Sequence, residues 1–294
     1  MRLFKRAAAL QAYLRYQSEQ GATIGFVPTM GALHEGHFEL LRHSMKDNTL
    51  TVCSIFVNPT QFNDMRDLAH YPRMPEKDIA ALARLGCEVL FMPFESEIYP
   101  EGLDAPPPQV ALMGLDQTME GIHRPGHFKG VVQVVHRLLQ IVQPHRLYMG
   151  QKDYQQYRIV QHMVEQLALP VQVAMVPIVR QADGLALSSR NLRLSPKARA
   201  AAPRIYQVLK EVLAYVSRHP DADLAQLSQK AMDQLNAPPL KPEYFSIVNG
   251  TTLQPVRHLN EAESVVACTA VWAEDVRLID NMILKWPQPI HATE

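Results

Sequence analysis

Across the first 180 residues, short apolar runs rich in β-branched and aromatic residues alternate with stretches of helical spacing, and this alternation leaves few folds open. The runs are TIGFVPT (23–29), LTVCSIFVN (50–58), CEVLFMPF (87–94), RLYMG (146–150) and VQVAMVPIV (171–179). Helical spacing marks 37–46, 76–85, 129–142 and 154–168. Near-continuous apolar strands separated by helices predict a parallel sheet covered on both faces, with right-handed crossovers. The expected fold is therefore α/β and Rossmann-like, a doubly wound sheet whose ligand crevice lies at the carboxyl ends of the strands. Leu3, Ala7, Leu10 and Leu14 recur at helical spacing, so residues 2–18 read as an amphipathic helix ahead of the first strand.

The pattern changes after residue 180. Ser195-Pro196 reads as an N-cap with proline at the first helical position, opening a helix over 196–217, and a second helix runs from Asp221 to about 236. YFSIVNG (244–250), ESVVACTAVWA (263–273) and VRLIDN (276–281) then follow as consecutive strands. Helices followed by strands predict a small α+β domain with an antiparallel sheet. The expected organisation is a nucleotide-binding domain over 1–180, a small α+β domain over 181–284 and a frayed tail over 285–294. Residues 94–127 contain five prolines and little periodicity, and long loops of this kind are usually functional.

Composition narrows the function. Lys and Arg number 29 against 29 Asp and Glu, so the chain has no basic excess with which to hold nucleic acid or an anionic membrane. No stretch approaches the roughly 20 apolar residues of a membrane span. The N-terminal MRLFKRAAAL has too short an apolar core for a signal peptide. Cys53, Cys87 and Cys268 are odd in number, widely spaced and set in or beside apolar runs; they read as small buried hydrophobes in a reducing cytoplasm.

The most informative stretch is Pro28-Thr29-Met30-Gly31-Ala32-Leu33-His34-Glu35-Gly36-His37, where the first apolar run gives way to the first helix. Such a junction presents unpaired N–H groups and the positive end of a helix dipole. Gly31 and Gly36 let a polyanion approach the backbone. His34 and His37, three apart, can share a face and donate to phosphate oxygens. The same pair could instead be capping or core histidines, or metal ligands, although HEGH lacks the i, i+4 spacing of the zinc motif HExxH. Gly150-Gln151-Lys152-Asp153 follows the fourth run at its carboxyl end, where Lys152 suits phosphate and Asp153 suits ribose hydroxyls. Asn58, Gln61 and Gln156 are neutral amides that both donate and accept, so they can read hydroxyls and a carboxylate; Asn58-Pro59 could also simply turn the chain. No cluster of Asp, Glu or His in the sequence declares a protein metal cage.

His34-x-Gly36-His37 after a first strand resembles the HxGH signature of the nucleotidyltransferase superfamily. The fuller string PTMGALHEGH is similar to that of the pantothenate synthetases, or pantoate–β-alanine ligases. SIFVNPTQF (54–62), YPR (71–73), RPGHFKGV (124–131), GQKDYQQ (150–156), DGLALSSRN (183–191) and RLIDN (277–281) agree in the same order. Met74 departs from the threonine often found in the family and lies outside the ligand strings.

The resemblance implies an AMP-forming ligase. ATP adenylates (R)-pantoate and pyrophosphate leaves; the amine of β-alanine then attacks the adenylate to give pantothenate and AMP. By the same resemblance, Met30 to His37, Gly150 to Asp153, Val179 and Leu187-Ser188-Ser189-Arg190 bind ATP, the last as the counterpart of the KMSKS loop of tRNA synthetases. His37 is the implied proton donor, with His34 and Lys152 as catalytic partners. Gln61, Gln156 and Asn58 are implied for pantoate, and Gln61 for β-alanine. Mg²⁺ is expected on the ATP phosphates rather than in a protein site. The small domain is expected as a lid over the ATP site, the 94–127 and 188–190 segments as closing loops, and the chain as a cytoplasmic homodimer. The alternatives are another HxGH nucleotidyltransferase or a non-catalytic ATP-binding module, which would need the nucleotide site but not Gln61 and Gln156.

Overall fold

The computed structural model describes residues 1–62 and 65–287. It divides into two compact units: residues 1–116 with 120–179, and 117–119 with 180 onward. The first unit runs β1 (Arg2–Phe4), α1 (Ala7–Glu19), β2 (Ile24–Thr29), α2 (Glu35–Asp47), β3 (Leu50–Ile55), α3 (Met65–His70), α4 (Pro75–Leu85), β4 (Val89–Phe91), α5 (Glu95–Ile98), α6 (Glu120–His123), α7 (His127–Val142), β5 (Arg146–Gly150), α8 (Tyr154–Gln166) and β6 (Gln172–Val176). The second runs α9 (Pro196–Ala201), α10 (Arg204–Arg218), α11 (Leu224–Leu235), β7 (Leu240–Asn249), β8 (Val265–Ala273) and β9 (Val276–Lys285).

The first unit is the expected parallel α/β fold. Its sheet has the order β1-β4-β3-β2-β5-β6, and every pair is parallel. The strands are apolar on both faces because both are covered. On one face Val27, Cys53, Leu90 and Tyr148 pack with Leu41 of α2 and Leu82 of α4. From β2 the chain winds outward through β3 to β4, then returns to place β5 on the other side of β2. The switch point thus lies between β2 and β5, where an open α/β sheet forms its crevice.

One element differs from expectation. Residues 2–4 form an edge strand on β4, with Arg2 N–H donating to Glu88 O at 2.7 Å and Met92 N–H to Phe4 O at 2.8 Å. The helix begins only at Ala7, whose N–H donates to Glu97 Oε2 at 2.8 Å. Its cap comes from 90 residues away, so nothing local marks where the helix starts. A three-residue strand has no readable period, which is why Leu3 looked helical.

The 94–127 segment contains α5 and α6 but is otherwise irregular, and it is fastened rather than hanging. Arg137 Nε donates to Ile98 O at 3.0 Å, Gln133 Nε2 to Ala105 O at 2.8 Å and Gln155 Nε2 to Leu115 O at 2.7 Å. Ala111 N–H donates to Gln166 Oε1 at 2.9 Å. Side chains of α7 and α8 thus hold much of its length.

In the second unit, α10 and α11 pack their apolar faces on the antiparallel sheet β7-β8-β9, the predicted architecture. Ser195 caps α9, its Oγ accepting from Ala198 N at 3.1 Å with Pro196 next in line. The helix expected over 196–217 breaks at Ala202-Pro203 into α9 and α10. Lys285 ends β9 and donates to Ala262 O at 2.7 Å; the rest of the expected tail, 288–294, lies outside the described residues. All three cysteines are buried and none forms a disulfide among the described residues.

Candidate active site

β2 and β5 end side by side, so the segments that follow them meet at the switch point. After β2, Thr29 Oγ1 donates to Ser54 O at 2.7 Å and accepts from Gly31 N at 3.2 Å. Ala32 N and Leu33 N donate to the two carboxylate oxygens of Asp78, at 2.9 and 2.8 Å. Asp78 belongs to α4 and is 2% exposed. These N–H groups are therefore engaged, not open to phosphate as the junction alone suggested.

The histidines solve the capping problem of α2 themselves. His34 is the N-cap, and its Nδ1 accepts from Gly36 N at 3.2 Å. His37 Nδ1 accepts in return from His34 N at 3.3 Å. This is a capping box built from two imidazoles. Their ring centroids lie 4.1 Å apart. Because each Nδ1 accepts, each Nε2 carries the proton and is left to donate. Capping and ligand binding, alternatives in the sequence, are compatible roles of different atoms on one ring.

Both rings are held neutral. Burial, then Lys152, brings the His34 pKa from 6.5 down to about 4. Burial, then His34, then Lys152, brings that of His37 down to about 3. Charging either ring would cost desolvation beside an existing cation. Lys152 stands in the 3-10 turn Gln151–Asp153 that follows β5, its side chain mostly buried. Its Nζ lies 3.9 Å from Asp153 Oδ1 on a half-exposed carboxylate. Space is open where a Gly150 side chain would project. The switch point thus gathers His34, His37, Lys152 and Asp153 from the ends of two adjacent strands.

Gln61 closes the 3-10 turn Pro59–Gln61 after β3. Its Oε1 accepts from Asn58 Nδ2 at 3.2 Å, and its Nε2 points at Met30 Sδ, 3.0 Å away. Asn58 is only 1% exposed. Its Oδ1 accepts from Tyr99 Oη at 2.7 Å and Thr60 Oγ1 at 3.1 Å, and its Nδ2 also donates to Gly130 O at 3.3 Å. Asn58 is both turn-former and Gln61's support. His127 donates from Nδ1 to Gln61 O at 2.8 Å, and burial lowers its pKa to about 4. A β-carbon on Gly130 would stand 2.3 Å from Thr60 O, so only glycine lets α7 pack against this turn. Gln156 is half-buried in the first turn of α8, after Lys152.

Val179 lies three residues beyond β6. Leu187, Ser188, Ser189 and Arg190 belong to the second unit, where Ser188 caps the 3-10 helix Ser189–Arg193 by accepting from Arg190 N at 3.3 Å. Two residues that the sequence did not single out shape the first-unit site. Asp78 looked like an ordinary acidic residue in a helix's first turn, and Tyr99 like one aromatic of a proline-rich loop; only the tertiary fold brings them to the loops they hold. Among the described residues, no three His, Cys, Asp or Glu side chains gather as metal ligands. No helix among them is long and apolar enough to cross a membrane.

A Rossmann-like switch point at which the imidazoles of a His-x-Gly-His turn meet Lys152 puts this chain in the HxGH class of α/β proteins. Comparison with known proteins narrows the class. The family model for pantoate-beta-alanine ligase matches residues 2–283. The pantothenate synthetase of Porphyromonas gingivalis is 45% identical over 285 residues, spanning 96% of this chain and 99% of that one. A pantothenate synthetase crystal structure from Thermus thermophilus superposes with a TM-score of 0.88 at 40% identity, covering 97% of this chain and all of the other. The pantoate-beta-alanine ligase of Francisella tularensis, solved with beta-gamma ATP and beta-alanine, gives 0.78 at 34% identity over 97% and 98% of the two chains. The chain belongs to the pantoate–β-alanine ligase family and is a ligase.

Proposed function

We propose that this protein condenses (R)-pantoate with β-alanine, using ATP, through a pantoyl adenylate, and releases pyrophosphate and AMP. The observation that carries the reading is the cluster of two neutral imidazole donors and Lys152 at the switch point of a chain matched to the family over residues 2–283.

Adenylation builds negative charge at the α-phosphate and on departing pyrophosphate. Fixed donors aimed at that charge are the main catalytic resource. His34 and His37 supply Nε2–H donors, and Lys152 supplies the cation. At neutral pH His37 is uncharged in the free enzyme, where its Nε2–H is a hydrogen-bond donor; its role as proton donor rests on the family resemblance. Met30 to His37, Gly150 to Asp153 and Val179 form the nucleotide segment. Leu187, Ser188, Ser189 and Arg190 are assigned to ATP on the family resemblance alone.

Gln61 directs its amide N–H₂ toward Met30 of the nucleotide segment, and such a donor suits an oxygen acceptor such as the carboxylate or hydroxyls of pantoate, and the carboxylate of β-alanine. Gln156 is the second pantoate reader, and Asn58 acts through Gln61. The ligands of the Francisella tularensis structure support nucleotide and β-alanine binding in this fold. Mg²⁺ is proposed to ride on the nucleotide phosphates, on the family resemblance. We further propose a cytoplasmic homodimer, on the family resemblance.

The test is AMP formation by the purified protein. AMP should accumulate from ATP only when pantoate and β-alanine are both supplied. AMP release independent of pantoate, or no release under any combination, contradicts the reading.

A further inference from the structure

The first turn of α4 carries a buried acid that the reaction scheme does not use. Asp78 is 2% exposed, and each carboxylate oxygen accepts a backbone N–H, Oδ2 from Ala32 at 2.9 Å and Oδ1 from Leu33 at 2.8 Å. The donors lie 46 and 45 residues earlier, in the turn between β2 and α2. Gly31 and Ala32 both have left-handed φ, +81° and +49°. A β-carbon on Gly31 would stand 3.1 Å from both Asp78 Oδ2 and the Ile55 methyl, so this residue has little room to grow. Successive N–H groups converging on one side of a turn make an anion-binding concavity. Here the anion is already part of the chain.

We propose that Asp78 is the positioning residue of the ATP segment: its carboxylate fills the N–H concavity of residues 32–33, fixes the start of α2 and leaves the triphosphate to His34, His37 and Lys152. The proposal rests on the reading of Met30–His37 as that segment. Two anions cannot share the same two donors, so phosphate is displaced from the turn onto the imidazole Nε2–H groups two and five residues beyond the glycine-alanine bend. The strained turn is held before nucleotide arrives, and the rings are aimed in advance.

Residue-resolved hydrogen exchange on the full-length protein, with and without ATP and Mg²⁺, tests this. In the free wild-type protein the Ala32 and Leu33 amides should be protected, and nucleotide should change their exchange by less than about threefold. Asp78→Asn replaces one acceptor by a donor. It should speed exchange of both amides by about tenfold or more. It should also lower kcat for pantoate-dependent ATP–pyrophosphate exchange by about 10–100-fold while leaving the KM for pantoate unchanged. A purely structural role would lower the melting temperature without that split. Amides that exchange fast in the free protein and slow only with ATP would overturn the proposal, since they would then be phosphate donors. So would an Asp78→Asn variant with wild-type exchange and turnover. The wild-type measurement decides whether or not the variant folds. A wild-type protein that forms no AMP overturns the ligase reading separately, because protection in the free protein is measured without nucleotide.

Discussion

Tyr99 donates its hydroxyl to Asn58 Oδ1 at 2.7 Å, and through that bond it fixes the polarity of Gln61. Asn58 cannot flip without facing its Nδ2 toward the Tyr99 and Thr60 hydroxyls and the Thr60 N–H, and its Oδ1 toward the Gly130 carbonyl. Its Nδ2 therefore meets Gln61 Oε1, and Gln61 turns its N–H₂ toward Met30 Sδ. Tyr99→Phe removes one buried hydroxyl and little else. Stability should fall by about 0.5–1.5 kcal/mol, and the KM for pantoate should rise by up to about tenfold, the equivalent of 1.4 kcal/mol. Steady-state kinetics with pantoate varied checks this; an unchanged KM would mean that Gln61 is oriented without Tyr99.

His34→Asn separates capping from catalysis. Asparagine is among the best N-caps, so the Gly36 N–H keeps an acceptor and the melting temperature should hold. The Nε2–H donor is lost, and removing one donor to developing charge costs about 10²–10³ in rate. Thermal melts and adenylation rates on the same preparation distinguish the two roles. A variant that melts early but turns over normally when folded would make His34 a cap alone.

Much of this site was readable before the fold. The HEGH turn marked the β2–α2 junction because its chemistry is local: glycines, a helix start and paired imidazoles within ten residues. RLYMG and the GQKD that follows marked the neighbouring strand end for the same reason. What escaped was supplied across distance. Glu97 caps α1 from 90 residues away, Asp78 holds Ala32 and Leu33 from 46 and 45, and Tyr99 holds Asn58 from 41. An acid in a helix's first turn or a tyrosine in a proline-rich stretch has no local signal for such partners. Lys152 was legible as a phosphate cation, yet its effect on the imidazole pKa values depends on the sheet order that sets β5 beside β2.

The neutral histidines make stability depend on pH in a defined direction. His34, His37 and His127 have folded pKa values of about 4, 3 and 4, below the 6.5 of an exposed imidazole. The unfolded chain then binds more protons than the folded one between those limits. Their stabilising contribution is full above pH 6.5 and is lost progressively as pH falls toward 4. Urea midpoints measured from pH 7 down to 5 should decline, and His127→Gln should flatten the slope. Imidazole nitrogen shifts should show Nε2–H tautomers for His34 and His37 and an Nδ1–H tautomer for His127 at pH 6. A midpoint flat across this range, or imidazolium shifts at pH 6, would contradict the assignment.

In the proposed reaction these donors activate a carboxylate before any amine arrives. A carboxylate is a poor electrophile until one oxygen becomes a good leaving group, so adenylation must come first and needs no β-alanine. Isotope exchange between labelled pyrophosphate and ATP is the direct measurement, made with enzyme, Mg²⁺, ATP and pantoate but no β-alanine. Exchange should require pantoate and be lost in a Gln61→Ala, Gln156→Ala double variant that still binds ATP. Exchange that appears only after β-alanine is added would contradict it and require a concerted or ternary reaction.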